Sequence, residues 1–117
     1  MENYKKIIQI DLDGVLNNYD GNYNNGIIAE PRAGVREFLE KLSSEFDIEI
    51  LTVQNKINTV LWLQKHELLN FISDVTNVKN QFATLFIDDR ALNFNGDFEK
   101  IFEEIKDFKP YWNKSID

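Results

Sequence analysis

The sequence predicts an α/β domain, a mostly parallel sheet with helices packed on both faces. Three observations predict it. Short apolar runs alternate with segments of helical periodicity along the chain, the pattern of parallel strands joined by crossover helices. Two of those runs, Ile7-Ile8-Gln9-Ile10 and Thr84-Leu85-Phe86-Ile87, each stop at acids, as strands do at the ligand-binding edge of an open sheet. The chain has 117 residues, 43% of them hydrophobic and nine of them Phe, which suits a single domain (1–117) with one core.

The elements follow in order. Residues 7–12 read as the first strand. Residues 17–26, rich in Asn and Gly, read as a loop or loose hairpin. Pro31 suits the first turn of a helix, and Val35, Phe38, Leu39 and Leu42 then fall on one helical face. Residues 48–53 give the second strand. Asn55 is placed to cap the next helix, with Ile57, Val60, Leu61 and Leu68 as its buried side. A short third strand falls within 71–76 and a fourth at 84–87. Asp97 caps a last helix, with Phe98, Ile101, Phe102 and Ile105 on one face. Tyr111 and Trp112 in the tail are expected to pack back on the body.

Composition narrows the function. The apolar content is too high for a chain that stays unfolded. A net charge of −7 argues against general affinity for the nucleic-acid backbone but leaves room for a specific phosphorylated ligand held through a metal. Without cysteine there is neither a disulfide nor thiol chemistry. No long apolar stretch follows residues 1–6, so neither a signal peptide nor a membrane span is expected, and a cytoplasmic location is the default.

The chemistry concentrates at strand ends. Asp11 and Asp13 follow the first strand, Thr52 closes the second, Lys79 follows the third, and Asp88 and Asp89 follow the fourth. In a parallel sheet all four groups gather at one edge. Clustered carboxylates repel unless a cation or phosphate chemistry uses them. Phosphoryl transfer needs this mixture: a carboxylate nucleophile, oxygen ligands for Mg²⁺, and a hydroxyl and an ammonium for the phosphate oxygens.

Asp11-Leu12-Asp13-Gly14-Val15-Leu16 resembles the first motif of the haloacid dehalogenase superfamily. Leu51-Thr52 is similar to its second motif, Lys79 to its third and Ile87-Asp88-Asp89 to its fourth, in the right order over residues 7–89. Asp88-Asp89-Arg90-Ala91, with Phe94 and Gly96-Asp97, further resembles small bacterial and phage members. The resemblance implies a Rossmann-like fold and a Mg²⁺-dependent phosphatase. Asp11 would be the nucleophile and Asp13 the general acid and base. Asp11, the backbone carbonyl of Asp13, and Asp88 would ligate Mg²⁺, with Asp89 reaching it through water or positioning Lys79. Thr52 and Lys79 would bind phosphate. The chain departs from the pattern in having Thr52-Val53-Gln54 where relatives often carry Thr-Ala-Arg, and Lys79-Asn80 where Lys-Pro is commoner. Lys56 and Lys65 are alternative cations.

Caps in this superfamily are inserted between the first and second or the second and third motifs. Neither interval here leaves room for one, so an uncapped, open site is expected, with the loop 17–26 and its Tyr19 and Tyr23 as the one lid. Such a site suits a small phosphate, with a second subunit closing the mouth in a homo-oligomer, or a macromolecular phosphate end. A nucleotidase or polynucleotide-end phosphatase is the alternative enzyme. A metal-binding or receiver-like phospho-signalling module without turnover is the alternative of another class. Arg90 divides between substrate binding and a solvated role, and His66 reads as structural or surface. Trp62, Phe98, Phe102 and Phe108 read as core.

Overall fold

The computed structural model describes residues 4–22 and 26–113. Four strands, β1 (Lys6–Asp11), β2 (Phe46–Leu51), β3 (Asp74–Thr76) and β4 (Ala83–Ile87), form one all-parallel sheet in the order β3-β2-β1-β4. Helix α1 (Val35–Ser43) joins β1 to β2, and α2 (Lys56–Lys65) joins β2 to β3. Both crossovers step the same way across the sheet, so right-handed connections place both helices on the same face. The core lies there. Ile8, Ile10, Ile48 and Ile50 point from β1 and β2 into a cluster with Val35 and Leu39 of α1 and Trp62 and Leu63 of α2. Leu12 and Leu16, just past β1, are buried in the same cluster.

Helices on both faces were expected, and the structure corrects this. The second face of β1 and β2 carries Gln9 and Glu49, which alternate with the core isoleucines. That alternation marks a sheet with one apolar face rather than two. The connection from β3 to β4 must pass over β2 and β1, three strand spacings or about 14 Å, and among the described residues it contains no helix. Residues 77–82 make the crossing as bends and a turn, closed by Ala83 N donating to the Asn80 carbonyl at 3.1 Å. Gln9, 1% exposed, anchors them. Its Nε2–H₂ donates to Glu49 Oε1 (2.8 Å) and the Val78 carbonyl (3.2 Å), while its Oε1 accepts from Asn80 N (2.9 Å). Asn80 Nδ2 adds a bond to Glu49 at 3.2 Å.

Two helix readings also change. Helix α1 begins at Val35 after Gly34 (φ +88°), while Pro31 forms a lone antiparallel bridge with Asn17. In α2 the buried side is Thr59, Trp62 and Leu63; of the four residues expected there, Val60 packs partly buried on the core and Leu68, past the helix end, is buried, while Ile57 and Leu61 are exposed. Asn55 does cap α2, accepting from Asn58 N, and Asp97 caps helix α3 (Phe98–Asp107), accepting from Lys100 N. None of the α3 side chains is buried: Phe98 is 78% exposed, Phe102 and Ile105 each 59%. Phe98, Phe102 and Phe108 are therefore not core, whereas Trp62 is. No helix among the described residues is long and apolar enough to cross a membrane.

Candidate metal and phosphate site

Strand order reverses between β1 and β4, since β1 has β2, next in the chain, on one side and β4 on the other. Ile10 pairs with Ile87, so Asp11 and Asp88 are the next residues of two adjacent parallel strands and emerge at the same edge. There one carboxylate oxygen from each of Asp11, Asp88 and Asp89 lies within 4.8 Å of the others. Of the four acids expected at this edge, three meet. Asp88 is oriented by its Oδ1, which accepts from Arg90 N at 2.8 Å.

After Asp11 the chain makes a wide turn over Leu12–Leu16, in which Gly14 takes φ +89°. A Cβ there would overlap the Asp89 carboxylate and come within 2.9 Å of Trp112 Nε1, so glycine is required by both the backbone and the space. Leu12 and Leu16 bury into the core and hold the turn, leaving Asp13 facing outward. Asp13 is not part of the three-acid group. Its Oδ1 accepts from Asn17 Nδ2 (2.9 Å) and its Oδ2 from Gln54 Nε2 (3.1 Å). Asn17 Oδ1 in turn accepts from Gly14 N at 3.0 Å, tying Asp13 to its own turn.

Thr52 follows Leu51, the residue paired with Asp11, and is buried at the same edge. Its Oγ1 accepts from Gln54 N (3.0 Å), a turn that brings the Gln54 amide to Asp13. Gln54, the third residue of Thr52-Val53-Gln54, thus holds the Asp13 carboxylate. A cavity of about 240 Å³ opens beyond Asp13, lined by Asn18, Asp20, Asn22 and Tyr19 of the loop and by Gln54. The loop is closed at its neck by Asn18 N donating to the Glu30 carbonyl and Arg32 N to the Leu16 carbonyl, both at 2.9 Å. Tyr23, the other lid aromatic, lies outside the described residues.

Lys79 is not brought to the acids. Its ammonium sits 4.4 Å from the centre of the Phe86 ring, on the polar face of the sheet and two residues short of Asp88. Of the alternative cations, Lys56 lies 3.5 Å from Asp74 at the exposed start of β3, and Lys65 is in the last turn of α2, at the far edge of the sheet. Arg90 is exposed, with Nε 3.9 Å from Asp89 Oδ1.

The tail does more than pack back. The Trp112 indole N–H donates to Asp89 Oδ2, and the Tyr111 hydroxyl to the Gly14 carbonyl. Tyr19 meets the Trp112 ring edge-on at 5.4 Å, and Arg32 lies 5.0 Å over the Tyr111 ring. The aromatic pair in the tail was the one sequence signal for this; nothing in their spacing tied them to Asp89.

Charge at the site is unbalanced. Burial, a hydrogen bond with Asp89 and the charges of Asp88, Asp89 and Asp13 push Asp11 up to about 8. Burial would also raise Asp89, but hydrogen bonds from the Trp112 indole, Asp11 and Asp88 outweigh it and hold Asp89 below the usual carboxylate range. The buried Asp89 Oδ1 has no hydrogen-bond partner among the described residues. An orphaned carboxylate oxygen within a three-acid cluster fits a cation. All-oxygen donors suit a hard ion such as Mg²⁺ better than a nitrogen- or sulfur-seeking metal.

No protein-family model, no curated protein and no solved structure matches this chain. Any functional reading therefore rests on the residues and their geometry.

Proposed function

We propose that the chain is a small, uncapped phosphatase of the haloacid dehalogenase type, dependent on Mg²⁺ and working through an aspartyl-phosphate. The observation that carries this reading is the convergence of Asp11, Asp88 and Asp89 at the β1/β4 edge, with a buried oxygen on Asp89 that, among the described residues, accepts no hydrogen bond and has only the Arg90 guanidinium 3.9 Å away. Asp11, Asp88 and Asp89 would hold the cation, which when bound offsets the carboxylate charge and that of a phosphate dianion. With that charge offset, Asp11 would be held as a carboxylate at neutral pH and could serve as the nucleophile.

In the first step an Asp11 carboxylate oxygen bonds to phosphorus, the P–O ester bond breaks, and Asp13 gives its proton to the leaving alkoxide. In the second step Asp13, now a carboxylate, takes a proton from water as that water attacks phosphorus; the acyl-phosphate bond breaks, inorganic phosphate leaves and Asp11 is regenerated. Asn17 and Gln54 hold the Asp13 carboxylate in place at the cavity wall. Thr52 has a hydroxyl proton to donate to a phosphate oxygen. Lys79 could contribute only after leaving the Phe86 ring.

The leaving group would occupy the cavity beside Asp13. Its lining of carboxylates and amides suits a small neutral or cationic alcohol better than a polyanion. The test is hydrolysis of an activated aryl phosphate with Mg²⁺, alongside a panel of small phosphomonoesters, nucleotides and 5′- or 3′-phosphorylated oligonucleotides. Turnover that Asp11→Asn abolishes is expected. An Asp11→Asn variant as active as the parent rejects the covalent mechanism, and an aspartyl-phosphate that persists for minutes points to a signalling module instead.

A further inference from the structure

Two consecutive elements leave an apolar surface without a partner. Helices α1 and α2 pack on β2 and β3 from the core side, and at the end of β4 Ile87, beside Ile10, packs partly buried against the core, while among the described residues the start of β4 has no helix over it. Leu85, opposite Ile8 on that side, is 44% exposed, and Phe82, leading into β4, is 75% exposed. Then comes α3, an amphipathic helix whose Phe98, Phe102 and Ile105 lie open to solvent. The sheet lacks a helix over β4, and α3 lacks a sheet to cover. Their lengths agree: ten residues of helix span about 15 Å, and five residues of strand about 17 Å.

The surface area shows how much is uncovered. The chain exposes 8535 Å², where a compact monomer of its 13.8 kDa mass exposes about 6,600 Å². The surplus, about 1,900 Å² over the whole chain, of which β4 and α3 supply only a part, leaves room for the roughly 800 Å² that each partner contributes to a stable interface. The radius of gyration, 15.6 Å, likewise exceeds the roughly 13.4 Å of a compact chain of this length.

We propose that this surface is a homodimer interface, in which α3 of one copy lies against the helix-free core side of β4 in the other, and reciprocally. A second copy is the occupant because it supplies both missing halves: the helix that β4 lacks and the strand that α3 lacks. A two-fold arrangement buries both at once. An unrelated partner would have to bring an amphipathic helix and an apolar receiving face together. Lys106 pairs with Glu103 at 3.2 Å and lies 4.7 Å over the Phe102 ring, so the apolar stripe of α3 is flanked by a cation that a contact would have to accommodate or displace.

The test has two arms and needs no knowledge of activity. Light scattering on the purified chain should give twice 13.8 kDa, and the double variant Phe98→Asp, Phe102→Asp should return it to the single mass with an unchanged circular dichroism spectrum. Both side chains are solvent-facing in one copy, so the substitutions spare the fold. The second arm uses the absence of cysteine. With Leu85→Cys and Phe102→Cys together, mild oxidation should give a disulfide-linked dimer on a denaturing gel. The proposal is overturned by a monomeric parent, by a dimer that survives the double Asp variant, or by a cross-link that forms within one chain. A chain that gains mass only by binding a different protein overturns it as well.

Discussion

Asp11→Asn should stabilise the metal-free protein while removing the proposed nucleophile. The magnitude follows from the site. Asp11 is pushed from 3.8 to about 8, so at pH 7 the folded chain holds a proton that the unfolded chain has released. Holding it across about three pH units would cost about 4 kcal/mol at 1.36 kcal/mol per unit. The site is open to water, and solvent screening reduces this to about 1–2 kcal/mol. The sign is set by proton uptake: with the folded value raised, the folded state binds more protons between about pH 4 and 8, so this group's effect on stability worsens as pH rises through that window. Asp89, held low, acts the other way and only below its ordinary value of 3.8. Asparagine is nearly isosteric, carries no charge, and can donate to Asp89 as protonated Asp11 does. In EDTA at pH 7, thermal unfolding of Asp11→Asn should therefore rise by about 4–8 °C over the parent, at about 4 °C per kcal/mol for a domain of this size. With Mg²⁺ the order should close or reverse, because ten times Kd stabilises the parent by about 1.4 kcal/mol and the variant by much less. An Asp11→Asn variant less stable than the parent without metal, and equally responsive to Mg²⁺, would refute the idea that these acids are packed around a cation.

Other consequences are as direct. Mg²⁺ binding should release up to one proton below pH 8, read by calorimetry in buffers of different ionisation enthalpy, with affinity rising toward pH 8 and then levelling. Trp112→Phe keeps the ring against Tyr19 but removes the N–H donor to buried Asp89; it should cost about 1–3 kcal/mol in denaturant titrations and weaken Mg²⁺ binding. Gly14→Ala meets both a positive φ and the Asp89 carboxylate, and should lose more than about 2 kcal/mol along with turnover. Gln9→Leu leaves Asn80 N and the Val78 carbonyl unpaired beneath the β3–β4 crossing; a loss of about 2–4 kcal/mol is expected by chemical unfolding, with the Asp13 contacts untouched.

The fold was legible where local signals agreed and illegible where they depended on the other layer. Asn55 and Asp97 were readable as caps because an Asx side chain acts on backbone two or three residues away. β1 and β4 were readable from apolar runs ending at acids. The bare second face was also written in the chain, in the alternation Asp47-Ile48-Glu49-Ile50, but the βα alternation around it outweighed that signal and predicted helices on both sides. Helix α2 misled for a different reason. Its apolar residues lie nearly all round, so their spacing could not say that Thr59 and Trp62, rather than Ile57 and Leu61, face the sheet. The α3 periodicity was correct; what no periodicity can state is whether a folded partner exists to bury it.

The site divides along the same line. Asp11, Asp88 and Asp89 could be placed together from sequence because strand direction alone carries them to one edge. Asn17, Gln54 and Trp112 could not, because each reaches the site through a turn whose shape depends on other side chains: Gly14 on Asn17, the Thr52 hydroxyl on Gln54. Lys79 shows the cost of reading order without geometry. It falls in the right place along the chain, yet the short crossing that carries it is tied down by Gln9, and its ammonium rests on Phe86 instead of the acids. If Lys79 serves the phosphate, binding of an anion must draw it from that ring. Lys79→Met should then raise KM for a phosphomonoester about tenfold or more with little change in metal-free stability, the exposed ring contact contributing only about 0.5–1 kcal/mol. An unchanged KM would mean that Thr52 and the cation hold the phosphate without it, and that the cluster of acids needs no lysine to work.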